Sequence, residues 1–423
     1  MEGMEGRKPR LIVKAGRPLC GFLQIEAAKN AILPLMAAAL LADGKLKLRR
    51  VPPLQDVLTM GRVLTSLGAG FGLTDQAAEL EAGNLMGEEP PYELVRAMRA
   101  SFLVMAPLVT RLGRAVLALP GGCAIGNRPV ALHLKGMEAL GAKVTWGNGK
   151  VSVEASKLMG NRIYLDYPSV GATETLLLAA CTARGETWLD NAAEEPEVVD
   201  LANCLNLMGA HIQGAGTKMI RIEGVRWLQG TTHTPIPDRI EAGTYLIAAC
   251  LTGGEVTLEN VIPEHLHALS AKLQQAGAQV ESSEGRIRVR ASRPLNGLEV
   301  VTMPYPGFPT DLQAPLFALL ALARGTSVVS ETVFENRYLH VGELRRMGAQ
   351  IRVEGRAATI CGVESLSGAP VRAPDLRAAA ALVLAGLRAE GETEVTGLEH
   401  LERGYYRLEE KLVRLGADIR REE

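Results

Sequence analysis

Four polar or Gly/Pro-rich segments carry the residue types that group transfer needs: Ala28-Lys29-Asn30-Ala31; Arg99 with the later run Leu119 to Pro129; Pro306 to Asp311; and Asp375-Leu376-Arg377 with Arg403-Gly404-Tyr405. In the run LPGGCAIGNRP, Gly121, Gly122 and Gly126 allow the close backbone approach and left-handed conformations of an anion-binding nest. Arg128 adds a two-pronged donor for phosphate or carboxylate. Fixed positive charge around Cys123 favours a thiolate and suits it to act as an acid or nucleophile; the same run also fits a glycine-rich turn with an inert cysteine. Lys29, ahead of an apolar helix predicted over 31–41, reads as a cation for an anionic substrate or as a solvated lysine beside a helix cap. Asp311, also ahead of an apolar helix, reads as a base toward a hydroxyl or as a carboxylate stabilised by the helix dipole.

Other chemistries lack their patterns. The histidines, including His265 and His267, show no H-E-x-x-H and no zinc spacing, so no metal site is expected. The Lys-Ser/Thr ending of a phosphate-binding P-loop is missing, and neither a dinucleotide G-x-G-x-x-G after a strand nor a G-x-S-x-G elbow occurs. Cys181, Cys204 and Cys250 lie in apolar helical patterns as core residues, while Cys20 and Cys361 are weak candidates for reactivity.

The elements that position these segments repeat. A helix closing on Leu/Met/Ala-Gly-Ala recurs at Leu67, Leu140, Met208, Ala276, Met347 and Leu415, at steps of 68 to 73 residues. Each unit also has an earlier half: an Ala/Leu-rich helix, a glycine turn and a β-branched strand, as in LLLAACTARGETWLDNA from Leu176 and LFALLALARGTSVVSET from Leu316. The earlier helix is apolar nearly all round and must be buried on every side. Units of about 70 residues are too long for a solenoid, so the expected architecture is α/β, two domains of three units, with helices inside and sheets outside. Thr231 to Pro237, rich in threonine and proline, reads as a linker near the midpoint.

Composition sets the surroundings. With 46 basic and 47 acidic residues in 423, the net charge of −1 removes the footprint of a nucleic-acid or membrane-surface binder. The apolar run from Ala31 to Ala42 is too short to span a membrane, and Lys14 interrupts the first apolar stretch before a signal-peptide core can form. Six cysteines without paired spacing suit a reducing compartment, so a cytoplasmic location is expected.

The segments AAKNAILPLMAAALLA, MRASFLVMAPLV, LPGGCAIGNRPV, PSVGATET, EEPEVVDLAN, IPDRIEAGTYL, PGFPTDLQAP, TVFENRYLHV, APDLRAAAALVLAGL and ERGYYRLEEKL, in this order, resemble the UDP-N-acetylglucosamine enolpyruvyl transferase (1-carboxyvinyltransferase) family. The resemblance implies two inverted, inside-out α/β barrels of three units each, the EPT/RTPC-like fold. It implies one domain over residues 29–236 and a second over 1–28 plus 237–423, closed by both termini, with the active site in the interdomain cleft. The implied reaction transfers the enolpyruvyl group of phosphoenolpyruvate to the 3-hydroxyl of UDP-N-acetylglucosamine, with release of phosphate. It proceeds by addition and elimination, without metal or cofactor, as the first committed step of peptidoglycan synthesis.

By the same resemblance, Cys123 is the general acid and the site of covalent adducts, Asp311 the base, and Lys29 and Arg403 catalytic cations. Lys29, Asn30, Arg128, Arg337 and Arg403 would hold phosphoenolpyruvate. Asn30, Arg99, Arg128, Pro129, Val130, Ala131, Leu132, Ser169, Val170, Gly171, Asp311 and Val333 would contact the nucleotide sugar. Asp238, Asp375 and Arg377 fall at hinge or closure positions. Three departures stand out: Ala131 replaces the usual aspartate after Arg-Pro-Val, Gln55 a residue that is basic in some members, and Glu402 the common aspartate before Arg403. Losing a polar group from a hydrogen-bonding site relaxes selectivity, so Ala131 bears on the nucleotide rather than on enolpyruvyl transfer. Two alternatives stay open here: a related enzyme with another nucleotide or nucleotide-sugar acceptor, and a non-catalytic nucleotide-sugar-binding paralogue.

Overall fold

The computed structural model describes residues 9–74, 77–119 and 130–423. The Leu/Met/Ala-Gly-Ala tripeptide ends an outer helix in every unit. Gly68, Gly141, Gly209, Gly277, Gly348 and Gly416 all have φ between +93° and +106°, a conformation L side chains avoid. The following alanine donates its N–H five residues back into the helix, as Ala210 does to the Leu205 carbonyl at 2.9 Å and Ala278 to Leu273 at 2.9 Å. This satisfies carbonyls that the helix leaves open and turns the chain into a strand.

The chain divides into two compact units. One comprises residues 9–26 and 237–423. At its centre the helices Arg239–Thr252, Gln313–Leu320 and Leu376–Gly386 pack on one another, buried almost throughout because their sequences have no polar face. Three four-stranded sheets surround them. In each sheet the strand after the inner helix pairs in parallel with one neighbour and antiparallel with another, as Thr326–Ser330 does with Glu299–Val301 and Ala357–Cys361. In the sheet of Glu392–Thr396, the strand Arg10–Lys14 takes the place that the second hairpin strand holds elsewhere, antiparallel to both Glu392–Thr396 and Asp418–Glu422.

The other unit comprises residues 27–74, 77–119 and 130–236. Its inner helices are Lys29–Ala38, Met105–Leu112 and Val170–Ala180, and the first continues as a 3-10 turn, Ala39–Leu41. The 31–41 helix therefore starts at Lys29, with Ala28 at the N-cap, and Asn30 is its second residue rather than a cap. The segment read as a linker is tied down: Thr232–His233 pairs in parallel with Lys45–Arg49, and the His233 ring meets Asp200 at 2.9 Å. No helix among the described residues is long and apolar enough to cross a membrane.

Candidate active site

In the unit formed by residues 9–26 and 237–423, the candidate residues gather at the N-terminal ends of the three inner helices. Asp238 caps Arg239–Thr252, its Oδ1 accepting from the N–H groups of Ile240 and Glu241 at 2.8 and 3.0 Å. Asp375 caps Leu376–Gly386 in the same way, accepting from Arg377 and Ala378. Asp311 lies in the 3-10 turn Thr310–Leu312 that leads into Gln313–Leu320. Helix N-termini carry partial positive charge and stabilise acidic side chains.

Asp311 meets two arginines. Its Oδ1 accepts from Arg337 Nη2 at 2.8 Å, and its Oδ2 accepts from Arg377 Nη2 and Nε at 2.7 and 3.2 Å. Both guanidinium side chains are 4% exposed, against 23% for Asp311, so the carboxylate is the accessible member of the group. Burial opposes the charge on Arg377, but Asp311, Tyr405 and Asp238 outweigh it and hold its pKa above the usual guanidinium value. The Arg377 guanidinium lies 5.3 Å from the centre of the Tyr405 ring, whose hydroxyl is 2.8 Å from Thr244 Oγ1. Arg403 is partly buried on the segment preceding Tyr405. The intervening Gly404 packs against Leu376 at the start of the Arg377 helix, where a Cβ would come within 2.7 Å of the leucine side chain and make it shift. Val333 is partly buried between Glu331 and Arg337.

In the other unit, Lys29 is no solvated lysine: its side chain is 11% exposed and its Nζ lies 3.2 Å from Asp56 Oδ2. Asn30 beside it is exposed. Arg99 opens the 3-10 turn Arg99–Val104 ahead of Met105–Leu112, and Ser169 caps Val170–Ala180 through the N–H of Ala172. His133 lies beside several of the residues expected to contact the nucleotide sugar. It stands on the helix Ala131–Ala139, just after Val130, Ala131 and Leu132; its Nδ1 lies 2.8 Å from Thr175 Oγ1, and its ring meets Phe102 edge-on at 5.4 Å. A Cβ at Gly171 would come within 3.0 Å of its ring. Burial, with Arg99 adding to it, lowers the His133 pKa to about 3, so the ring is neutral. The sequence does not mark this histidine as a binding residue, because its partners Thr175 and Phe102 are distant in the chain.

Cys123, Arg128 and Pro129 lie outside the described residues. Burial raises the thiols of Cys181, Cys204 and Cys250, the last two to about 12, which makes them inert; Cys20 and Cys361 are exposed.

The chain is 56% identical, over 97% of its length and 99% of the relative's, to UDP-N-acetylglucosamine 1-carboxyvinyltransferase 2 of Carboxydothermus hydrogenoformans. It is 52% identical, over 98% of its length and all of the relative's, to UDP-N-acetylglucosamine 1-carboxyvinyltransferase 1 of Caldanaerobacter subterraneus subsp. tengcongensis. The chain belongs to this carboxyvinyltransferase family. The broader family described as EPSP synthase (3-phosphoshikimate 1-carboxyvinyltransferase) matches residues 13–412. The crystal structure of the enolpyruvyl transferase NikO from Streptomyces tendae superimposes with a TM-score of 0.88 at 28% identity, covering 98% of this chain and 99% of that one. The fold of this carboxyvinyltransferase-family member is thus that of the enolpyruvyl transferases, two inside-out α/β barrels of three units each, as the family resemblance implied and in keeping with the two domains of three units expected from the six repeats.

Proposed function

We propose that the chain transfers the enolpyruvyl group of phosphoenolpyruvate to the 3-hydroxyl of UDP-N-acetylglucosamine and releases phosphate, in the cytoplasm, as a step of peptidoglycan synthesis. The observation that carries this reading is identity of 52 to 56% over nearly the whole chain to relatives that bear that activity in their names. In the addition step the sugar oxygen bonds to C2 of phosphoenolpyruvate, Asp311 accepts the hydroxyl proton, and the Cys123 thiol delivers a proton to C3. In the elimination step C3 loses a proton, the double bond re-forms and phosphate departs. The geometry around Asp311 suits its part. Two nearly buried guanidiniums fix the carboxylate, which is more exposed than either of them. Lys29, Arg128 and Arg403 would meet the charges of phosphoenolpyruvate, and fixed cations of this kind stabilise charge that develops as phosphate leaves.

The test is phosphate release from phosphoenolpyruvate with and without UDP-N-acetylglucosamine. Release should require the acceptor and fall by about a hundredfold or more in Cys123→Ala and in Asp311→Ala. Tight calorimetric binding of the acceptor with no phosphate release would overturn the reading.

A further inference from the structure

Just past the strand that follows the inner helix, four of the repeats place a residue with left-handed backbone: Arg50, Asn191, Asn260 and Gly397, at φ +56°, +57°, +54° and +81°. Asn191 and Asn260 use the side chain to tie down the neighbouring parallel strand, each donating from Nδ2 at 2.7 Å, to the carbonyls of Leu165 and Ile25. The repeat that carries Asp311 differs. Its strand Thr326–Ser330 runs into Glu331, which lacks the left-handed backbone and is fully buried.

The Glu331 carboxylate accepts four hydrogen bonds, from Thr302, from the turn that carries Asp311 and from the segment that leads to Arg337. Oε1 accepts from Thr302 Oγ1 at 2.8 Å and from the backbone N–H groups of Val333 and Phe334 at 2.8 and 3.0 Å. Oε2 accepts from Thr310 Oγ1 at 2.9 Å. Thr310 is the residue before Asp311, and Val333 and Phe334 begin the segment that ends at Arg337, whose guanidinium also lies 5.5 Å from the Phe334 ring. Thr302 extends the contact: it bridges to Phe308 at the start of the Phe308-Pro309-Thr310 turn. Burying a carboxylate is costly unless hydrogen bonds replace its water, and elsewhere an asparagine suffices to tie the strands. The extra acceptor capacity at this repeat serves the loops rather than the sheet.

We propose that Glu331 is a positioning residue, holding the Thr310–Asp311 turn and the Val333–Arg337 segment in one register so that Asp311 and Arg337 meet as a pre-aligned pair. The proposal rests on the reading of Asp311 as the base toward the sugar hydroxyl. Glu331 touches no reacting atom in this role; it acts through Thr310 and through two backbone amides. Preorganisation of this kind is felt in turnover more than in stability, because a small misplacement of a base lowers rate while the fold persists.

The test separates positioning from scaffolding with Thr310→Val, which removes one donor to Glu331 and leaves the other three. We expect kcat to fall about tenfold with little change in the KM for phosphoenolpyruvate or in the thermal midpoint, and Thr310→Ser to restore kcat to within about threefold. Amide hydrogen exchange in Glu331→Ala should quicken in peptides spanning 303–312 and 332–338 and stay slow in the helix Gln313–Leu320. Parent-like kinetics and exchange in both Thr310→Val and Glu331→Ala, or exchange that rises uniformly through the unit, would overturn the proposal. If the parent itself releases no phosphate, the functional reading falls, and exchange alone decides: a local increase upholds the positioning role and its absence ends it.

Discussion

At the scale of single residues, what distinguishes Asp311 is the company of Arg337 and Arg377, both nearly buried behind it. An acid so placed can be found in the sequence, since Pro306 to Asp311 breaks the repeat and polar residues that break a repeat need a reason. Its partners could not be read from spacing, because 26 and 66 residues separate them from it; Arg377 stood out only as part of another departure from the repeat, and Arg337 only as an expected phosphoenolpyruvate ligand. Glu331 and His133 escaped notice for the same physical reason. A buried polar side chain is recognisable only through the groups that satisfy it, and theirs come from Thr302, Thr310 and Thr175. Ala131, exposed at the start of its helix, supplies no acceptor where the family resemblance leads one to expect a carboxylate. Ala131→Asp should therefore sharpen discrimination among nucleotide sugars differing in the base, raising the ratio of kcat/KM values by about tenfold while leaving kcat with UDP-N-acetylglucosamine near its parent value. Competition assays with paired acceptors measure this; an unchanged ratio would mean that position 131 does not contribute to reading the base.

At the scale of elements, the repeated tripeptide proved the most legible feature because it encodes a backbone conformation rather than a contact. A left-handed residue followed by a small buried one reads directly as a helix end. Sheet pairing was less legible, since parallel edge strands can come from very short connecting segments, as Thr232–His233 does beside Lys45–Arg49. The left-handed glycines also allow a clean energetic test. Gly209 has φ +106° and no atom within 4 Å of where a Cβ would sit, so the cost of Gly209→Ala is conformational alone. It should lower unfolding free energy by about 1–2 kcal/mol with no loss of activity. Denaturant titration checks it, and a neutral or stabilising effect would show that this helix end relaxes to another conformation.

At the scale of the whole molecule, each unit buries one neutral histidine near an arginine: His133 with Arg99 and His340 with Arg337. Burial, with the arginine adding to it, lowers His133 to about 3; burial and Arg337 outweigh the opposing pull of Asp375 and lower His340 to about 4. In the unfolded chain both titrate near pH 6.5. The stabilisation is complete above that value and is lost as pH falls, because the unfolded chain takes up protons that the folded one refuses. Between pH 6.5 and 5 each histidine should cost about 1 kcal/mol per pH unit, and His133→Gln or His340→Gln should flatten that slope. Denaturation at stepped pH reads it, and a slope unchanged in both variants would contradict the buried neutral assignment. The bond between the enolpyruvyl group and the sugar oxygen can be observed directly. After incubation with phosphoenolpyruvate and UDP-N-acetylglucosamine, the acceptor should be recovered, by mass spectrometry and carbon NMR, with an enolpyruvyl ether on O3 in amounts equal to the phosphate released. Unmodified acceptor beside free pyruvate and phosphate would contradict enolpyruvyl transfer.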